Sequence, residues 1–110
     1  MTRLSNLPAT ARMMERLERL ALDTDEPGKL TRLYLSPAHK RASETVKGWF
    51  REAGLSPDVD AVGNIFARFE GRQPGLPALI IASHIDTVRD AGKFDGNLGV
   101  VERGTWNVAD

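Results

Sequence analysis

The residues best equipped for chemistry are gathered between Ala78 and Val101, in ALIIASHIDTVRDAGKFDGNLGVV. His84 follows directly on an apolar run, Asp86 stands two positions on, and Asp95 lies in the glycine-flanked turn KFDGNLG. If the backbone stays extended past His84, residues two apart point to the same side. Asp86 can then take the hydrogen of one imidazole nitrogen while the other nitrogen binds a metal ion, a pairing that fixes tautomer and ring orientation. Gly96 and Gly99 permit the tight reversal that would return the Asp95 carboxylate toward His84. A carboxylate has two oxygens, and a pair of ions about 3.5–4 Å apart can activate a water and polarise a carbonyl together. Spacing alone leaves a structural reading equally open, because a histidine at the end of a strand and an Asp-Gly turn also occur without any ligand. A calcium loop is a poor match, since DGNLG lacks the alternating acidic series and the terminal glutamate.

Such residues need a scaffold, and the flanking sequence describes one. Residues 78–83 do not alternate in polarity, which predicts a central strand buried on both faces. His84 would then sit at its carboxyl end, where open α/β sheets place their ligands. A first helix is expected from about Ala9 to Leu22, with Met13, Leu17, Leu20 and Ala21 on one stripe. The charges of ERLER, and Arg12 before them, would form a solvated face laced by salt bridges. Pro27-Gly28 ends that element. A second helix is better bounded, by Ser36 as N-cap, Pro37 in the first position and Gly54 just past the end. Its apolar stripe is Ala42, Val46, Trp49, Phe50 and Ala53, so Trp49 and Phe50 are packing residues, as is Met13 and at best Met14. Two strands follow, about Asp58–Val62 and Ile65–Phe69, around a Gly63-Asn64 turn. A further helix belongs after Leu98 in such a fold, but ERGTWNVAD has Gly104 and no apolar stripe, so none is predicted there. Helix, hairpin and buried strand give the class α/β.

Bulk properties narrow the function classes. The chain has 110 residues, 41% apolar and 27% charged, which suits one modest globular domain. Fifteen basic residues balance fifteen acidic ones, so no basic footprint for nucleic acid stands out. The longest apolar run is far below a membrane span, the N-terminus has no signal-peptide core, and there is no cysteine for disulfide or thiolate chemistry. The cytoplasm is the expected location. His39 reads as a solvated helix residue. Arg32, Arg89 and Lys93 could face an anionic substrate, the last two because they flank the His–Asp motif. Trp106 receives no physical account.

The stretch SHIDTV…GKFDGNLGVV resembles the first metal motif of the zinc-dependent amidase/hydantoinase/carbamoylase family, which includes allantoate amidohydrolase and N-carbamoyl-L-amino-acid hydrolase among the di-zinc aminopeptidase-like hydrolases. TRLYLSPAHKRASETVKGWFREAGL and DAVGNIFARFEG resemble the segments preceding that motif, so the likeness runs from about Gly28 to Val101. It implies that residues 1–101 are the N-terminal part of an α/β metallohydrolase catalytic domain that holds two divalent ions, zinc or manganese. His84 would ligate one ion, Asp86 would be the catalytic residue orienting its ring, Asp95 would bridge the two, and Gly96 would present Asp95. The wording KFDGNLG leans toward ureido substrates, allantoate or N-carbamoyl-L-amino acids, rather than peptides. From Glu102 the family's pattern is lost. Its long helix, adjacent glutamates, later histidines and homodimer-forming lid domain have no counterpart here, and residues 102–110 read as an aberrant or truncated tail. Two ligands fall short of the three that catalytic zinc takes from protein. A missing general base costs about 10²–10⁴-fold, so the isolated chain is expected to be inactive. A metallopeptidase fragment and a non-catalytic remnant or interaction module are the alternatives.

Overall fold

In a computed structural model, which describes residues 8–105, the N-terminal amphipathic segment forms helix α1 (Ala9–Ala21). Leu17 and Leu20 are fully buried on its inner face. Its last turn closes through Leu22 N–H to the Arg19 carbonyl and Asp23 N–H to that of Leu20. One member of the charged face departs from expectation. Arg16 is buried, with its guanidinium 5.1 Å from the centre of the Trp49 ring and Nη2 donating to Glu52 at 3.0 Å. Its apolar stem crosses the neighbouring helix while the charged head rests on an aromatic face and reaches an exposed carboxylate.

Helix α2 (Pro37–Glu52) begins and ends where its sequence signals stand. The Ser36 hydroxyl accepts from the His39 N–H at 3.1 Å. At the other end Gly54 takes a left-handed conformation (φ +83°), and Gly54 and Leu55 donate to the carbonyls of Arg51 and Phe50. That pair of bonds is the Schellman closure that glycine favours. Ala38, Ala42, Val46 and Trp49 recur on the buried face.

The hairpin is shorter than its sequence suggests. Strands β1 (Asp58–Val59) and β2 (Ile65–Phe66) pair antiparallel, Asp58 with Phe66 and Val59 with Ile65. The Asp60 carboxylate accepts from the backbone N–H of Val62 and Asn64 and from the Asn64 amide, so the turn consumes residues that alternation assigns to strands.

Two expectations are corrected. Residues 78–83 form no strand, and their apolar side chains are exposed, Ile80 to 83%. A strand buried on both faces needs sheet neighbours on its edges and layers above and below, and the described residues place none there. The helix judged absent is present: α3 spans Asn97–Thr105. It starts earlier than the stretch in which it was sought, and its Val101 is fully buried, with Val100 packed beside it.

One core joins these elements: Leu17, Leu20, Ala42, Val46, Trp49, Ile85 and Val101. The segment after Pro27 contributes by running beside the His–Asp motif. Leu30 forms an antiparallel bridge with Ala91, and Thr87 N–H donates to the Arg32 carbonyl at 2.7 Å. Among the described residues no helix is long and apolar enough to cross a membrane. The architecture is therefore an α/β piece of three helices and a two-stranded hairpin.

Candidate metal centre

Ile85 explains the direction taken by its neighbours. It is buried in the core, while His84 and Asp86 on either side of it are about half exposed. Burying one residue of a locally alternating segment turns the residues before and after it to the opposite side together. The His84 Nδ1 lies 2.9 Å from the Asp86 carbonyl oxygen and 3.4 Å from its carboxylate Oδ1. A carbonyl only accepts, so Nδ1 carries the hydrogen, and Nε2 is left to face the turn that follows. The ring is thus oriented chiefly by the Asp86 main chain, with the carboxylate behind it.

Asp95 does return to His84. Its Oδ1 stands 3.6 Å from Nε2. The approach depends on Gly96, which has φ +72°; a Cβ built there would lie 2.4 Å from the His84 carbonyl oxygen and 2.5 Å from Nδ1 and Cε1. Gly99 permits a second close approach, since a Cβ there would meet the Ser83 Oγ at 2.8 Å. Ser83 Oγ–H donates to the Gly96 carbonyl at 2.7 Å and ties the two segments. Two donors bound to one zinc ion at about 2.0–2.1 Å in tetrahedral geometry stand about 3.3 Å apart. The 3.6 Å spacing of Nε2 and Oδ1 fits two corners of such a shell. Among the described residues, no group of three or more histidine, cysteine, aspartate and glutamate side chains is arranged to hold a metal. The pair by itself would supply only part of a donor set.

The cations near the motif have other partners. Arg89 forks onto Glu26, with Nη2 2.8 Å and Nε 3.0 Å from Oε1. That contact holds the Glu26 carboxyl below its ordinary range, aided by the Thr31 hydroxyl. Lys93 pairs with Glu18. Arg32 is wholly buried and bonded to protein oxygens. His39 is buried rather than solvated, because its Nδ1 accepts from Leu35 N–H at 3.0 Å and its ring rests against Tyr34. Burial holds its pKa below 6.5. Trp106 lies outside the described residues. Sequence reasoning passed over Asn97, which is fully buried, accepts from Arg32 Nη1 and donates to the Lys93 carbonyl. Its position directly after Asp95-Gly96 was the only available signal.

No family model matches the chain, but individual relatives do. It is 46% identical over 86 residues to allantoate deiminase 2 of Glycine max, a match covering 78% of this chain and 18% of that protein. It is 42% identical over 92 residues to an N-carbamoyl-L-amino-acid amidohydrolase of Pseudomonas sp. (strain NS671), covering 76% of this chain and 22% of the relative. Its fold superposes on a hydantoinase/carbamoylase family amidase from Burkholderia ambifaria with a TM-score of 0.77 and 36% identity, over 86% of this chain and 25% of that one. Together these likenesses define a class, the hydrolases named for acting on carbon–nitrogen bonds. Within it, the likeness is to a segment of the hydantoinase/carbamoylase family of amidases. It spans 18–25% of the length of these relatives.

Proposed function

We propose that this chain carries the His–Asp corner of a divalent-metal centre in an amidohydrolase that cleaves carbon–nitrogen bonds of ureido compounds, with allantoate or N-carbamoyl-L-amino acids as the substrate class. The observation that supports it is the meeting of His84 Nε2 and Asp95 Oδ1 at 3.6 Å across a glycine that admits no side chain. His84 and Asp95 would hold the ion, zinc or manganese. When bound, such an ion supplies Lewis-acid polarisation of a carbonyl and acidifies water. The chain's own part is positional: the Asp86 carbonyl keeps the hydrogen on Nδ1, Ile85 anchors the ring to the core, and Gly96 brings the carboxylate to Nε2. Two donors are fewer than a catalytic zinc takes from protein, so the remaining ligands and the proton-transfer group come from other residues. By itself the 110-residue chain would be inactive.

The test is a graft. Residues 28–101 replace the matching segment of the Glycine max and Pseudomonas relatives, and product release from allantoate and N-carbamoyl-L-amino acids is measured with zinc or manganese. A working graft that loses activity on His84→Ala or Asp95→Asn is the expected result. A folded graft that stays active without His84 refutes the assignment.

A further inference from the structure

Among the described residues, Arg32 is the largest side chain fully withdrawn from solvent, and no carboxylate pairs with it through a hydrogen bond. Its head group instead donates to four neutral oxygens. Nε reaches the Asp23 carbonyl at 2.9 Å and Nη2 the Leu20 carbonyl at 2.5 Å, both at the carboxyl end of α1. That end carries the negative pole of the helix, which suits a cation. The remaining nitrogen, Nη1, donates to the Ile85 carbonyl at 2.8 Å and to Asn97 Oδ1 at 3.1 Å. Ile85 stands between His84 and Asp86, and Asn97 stands two residues beyond Asp95. The Arg32 main chain is lashed to the same region, its N–H donating to the Thr87 hydroxyl at 2.8 Å and its carbonyl accepting from Thr87 N–H.

We infer that Arg32 is a positioning residue that sets the separation of His84 and Asp95, because one planar nitrogen holds both segments that carry them against the end of α1. A guanidinium has five donors in a fixed fork, and four of its bonds are made here. Lysine has three donors on a flexible stem and cannot span both segments while keeping the α1 carbonyls. Asn97 is the necessary counterpart: its Oδ1 takes the Arg32 bond while its Nδ2 donates to Lys93, closing the loop around Asp95. Residues that orient metal ligands in this indirect way typically change affinity about 10–100-fold when mutated.

The inference rests on the metal reading above, and two readouts on the 110-residue chain separate them. The first needs no metal: a nuclear Overhauser contact between the His84 Cε1 proton and the Gly96 α-protons, which the close approach of these groups requires. The second is zinc affinity, measured by titration calorimetry, with His84→Ala as reference. Arg32→Lys should abolish the Overhauser contact and weaken zinc binding by about 10–100-fold. Val46→Ala, which loosens the same core but removes no hydrogen bond to either segment, should leave both at wild-type levels. If Arg32→Lys does not fold, Asn97→Ala, which spares three of the four Arg32 bonds, should move both readouts in the same direction by less. The proposal is overturned if either variant keeps both readouts, or if Val46→Ala shifts them as much for an equal loss of melting temperature. Zinc binding indifferent to His84 would overturn the metal reading alone, since the Overhauser contact would still report the clamp.

Discussion

Adding one methyl group at Gly96 perturbs the site more directly than any other single change. Alanine at φ +72° is in the left-handed region, which costs about 1–2 kcal/mol for a residue with a Cβ. The new carbon would also stand 2.4 Å from the His84 carbonyl oxygen, where ordinary contact begins at 3.4 Å. The main chain at His84 must therefore retreat by 3.4 − 2.4 = 1.0 Å. It is not free to do so, because Ile85 beside it is fixed in the core. Forcing a group into a packed site costs about 1–3 kcal/mol, and with the backbone term the loss is about 2–5 kcal/mol. Gly75 provides the internal control, with φ +85° and no atom within 4 Å of its would-be Cβ. Gly75→Ala should lose only the backbone term. Each kcal/mol corresponds to about 4–8 °C for a domain near this size, so the two melting temperatures should differ clearly. Zinc binding should fall in Gly96→Ala and not in Gly75→Ala. Equal melting temperatures and equal zinc affinities in the two variants would refute the claim that this glycine exists to admit His84.

Three further outcomes follow from groups outside the site. The depressed pKa of His39 means that the unfolded chain takes up a proton first as acid is added. Stability should be complete above pH 6.5 and fall as the pH drops below it toward the folded value; His39→Gln, compared in a His84→Ala background so that one histidine titrates, should flatten that slope in melting temperature. An unchanged slope would mean that His39 is solvated after all. Arg16→Ala removes the Trp49 contact and the stem that covers α2 while leaving Glu52 free to rehydrate, so urea unfolding should register a loss of about 1–2 kcal/mol, partly recovered by Arg16→Met. Ile80→Lys, on an exposed apolar stretch, should leave stability within about 0.5 kcal/mol and slow aggregation at high concentration by light scattering; faster aggregation would contradict this exposure.

What could be read from the sequence was local. Ser36, Pro37 and Gly54 fixed the ends of α2 because capping is decided by neighbours within four residues, and the structure makes each bond those residues foretell. The meeting of His84 with Asp95 was also a local inference, since the two lie close in sequence and the Asp-Gly turn between them has few ways to close. The failures share the opposite character. Residues 78–83 have the composition of a buried strand, yet burial belongs to neighbours that composition does not name. The first turn of α3 lies in GNLG, where two glycines mask a helix whose stability comes from Val101 against α1 rather than from propensity. Arg16 is a polar residue whose burial depends on Trp49 and Glu52, both far along the chain.

Arg32 is the sharpest case, and it bears on how the motif works. A lone arginine in TRLYLSP offers no sign of whether it meets substrate or protein. Only when three distant segments are brought together does its role become physical, because its four acceptors lie 9, 12, 53 and 65 residues away in sequence. The proposed donors, His84 and Asp95, sit on exposed segments with little packing of their own. A pair of exposed side chains loses rotamer freedom when held at one spacing, and hydrogen bonds at the surface compete with water. Here the ordering is done one layer below, in the buried main chain at Ile85 and the buried amide of Asn97, where water does not compete. The spacing of the exposed pair is thus a property of the interior, which is why residues carrying no donor toward the proposed ion would decide how well it is held.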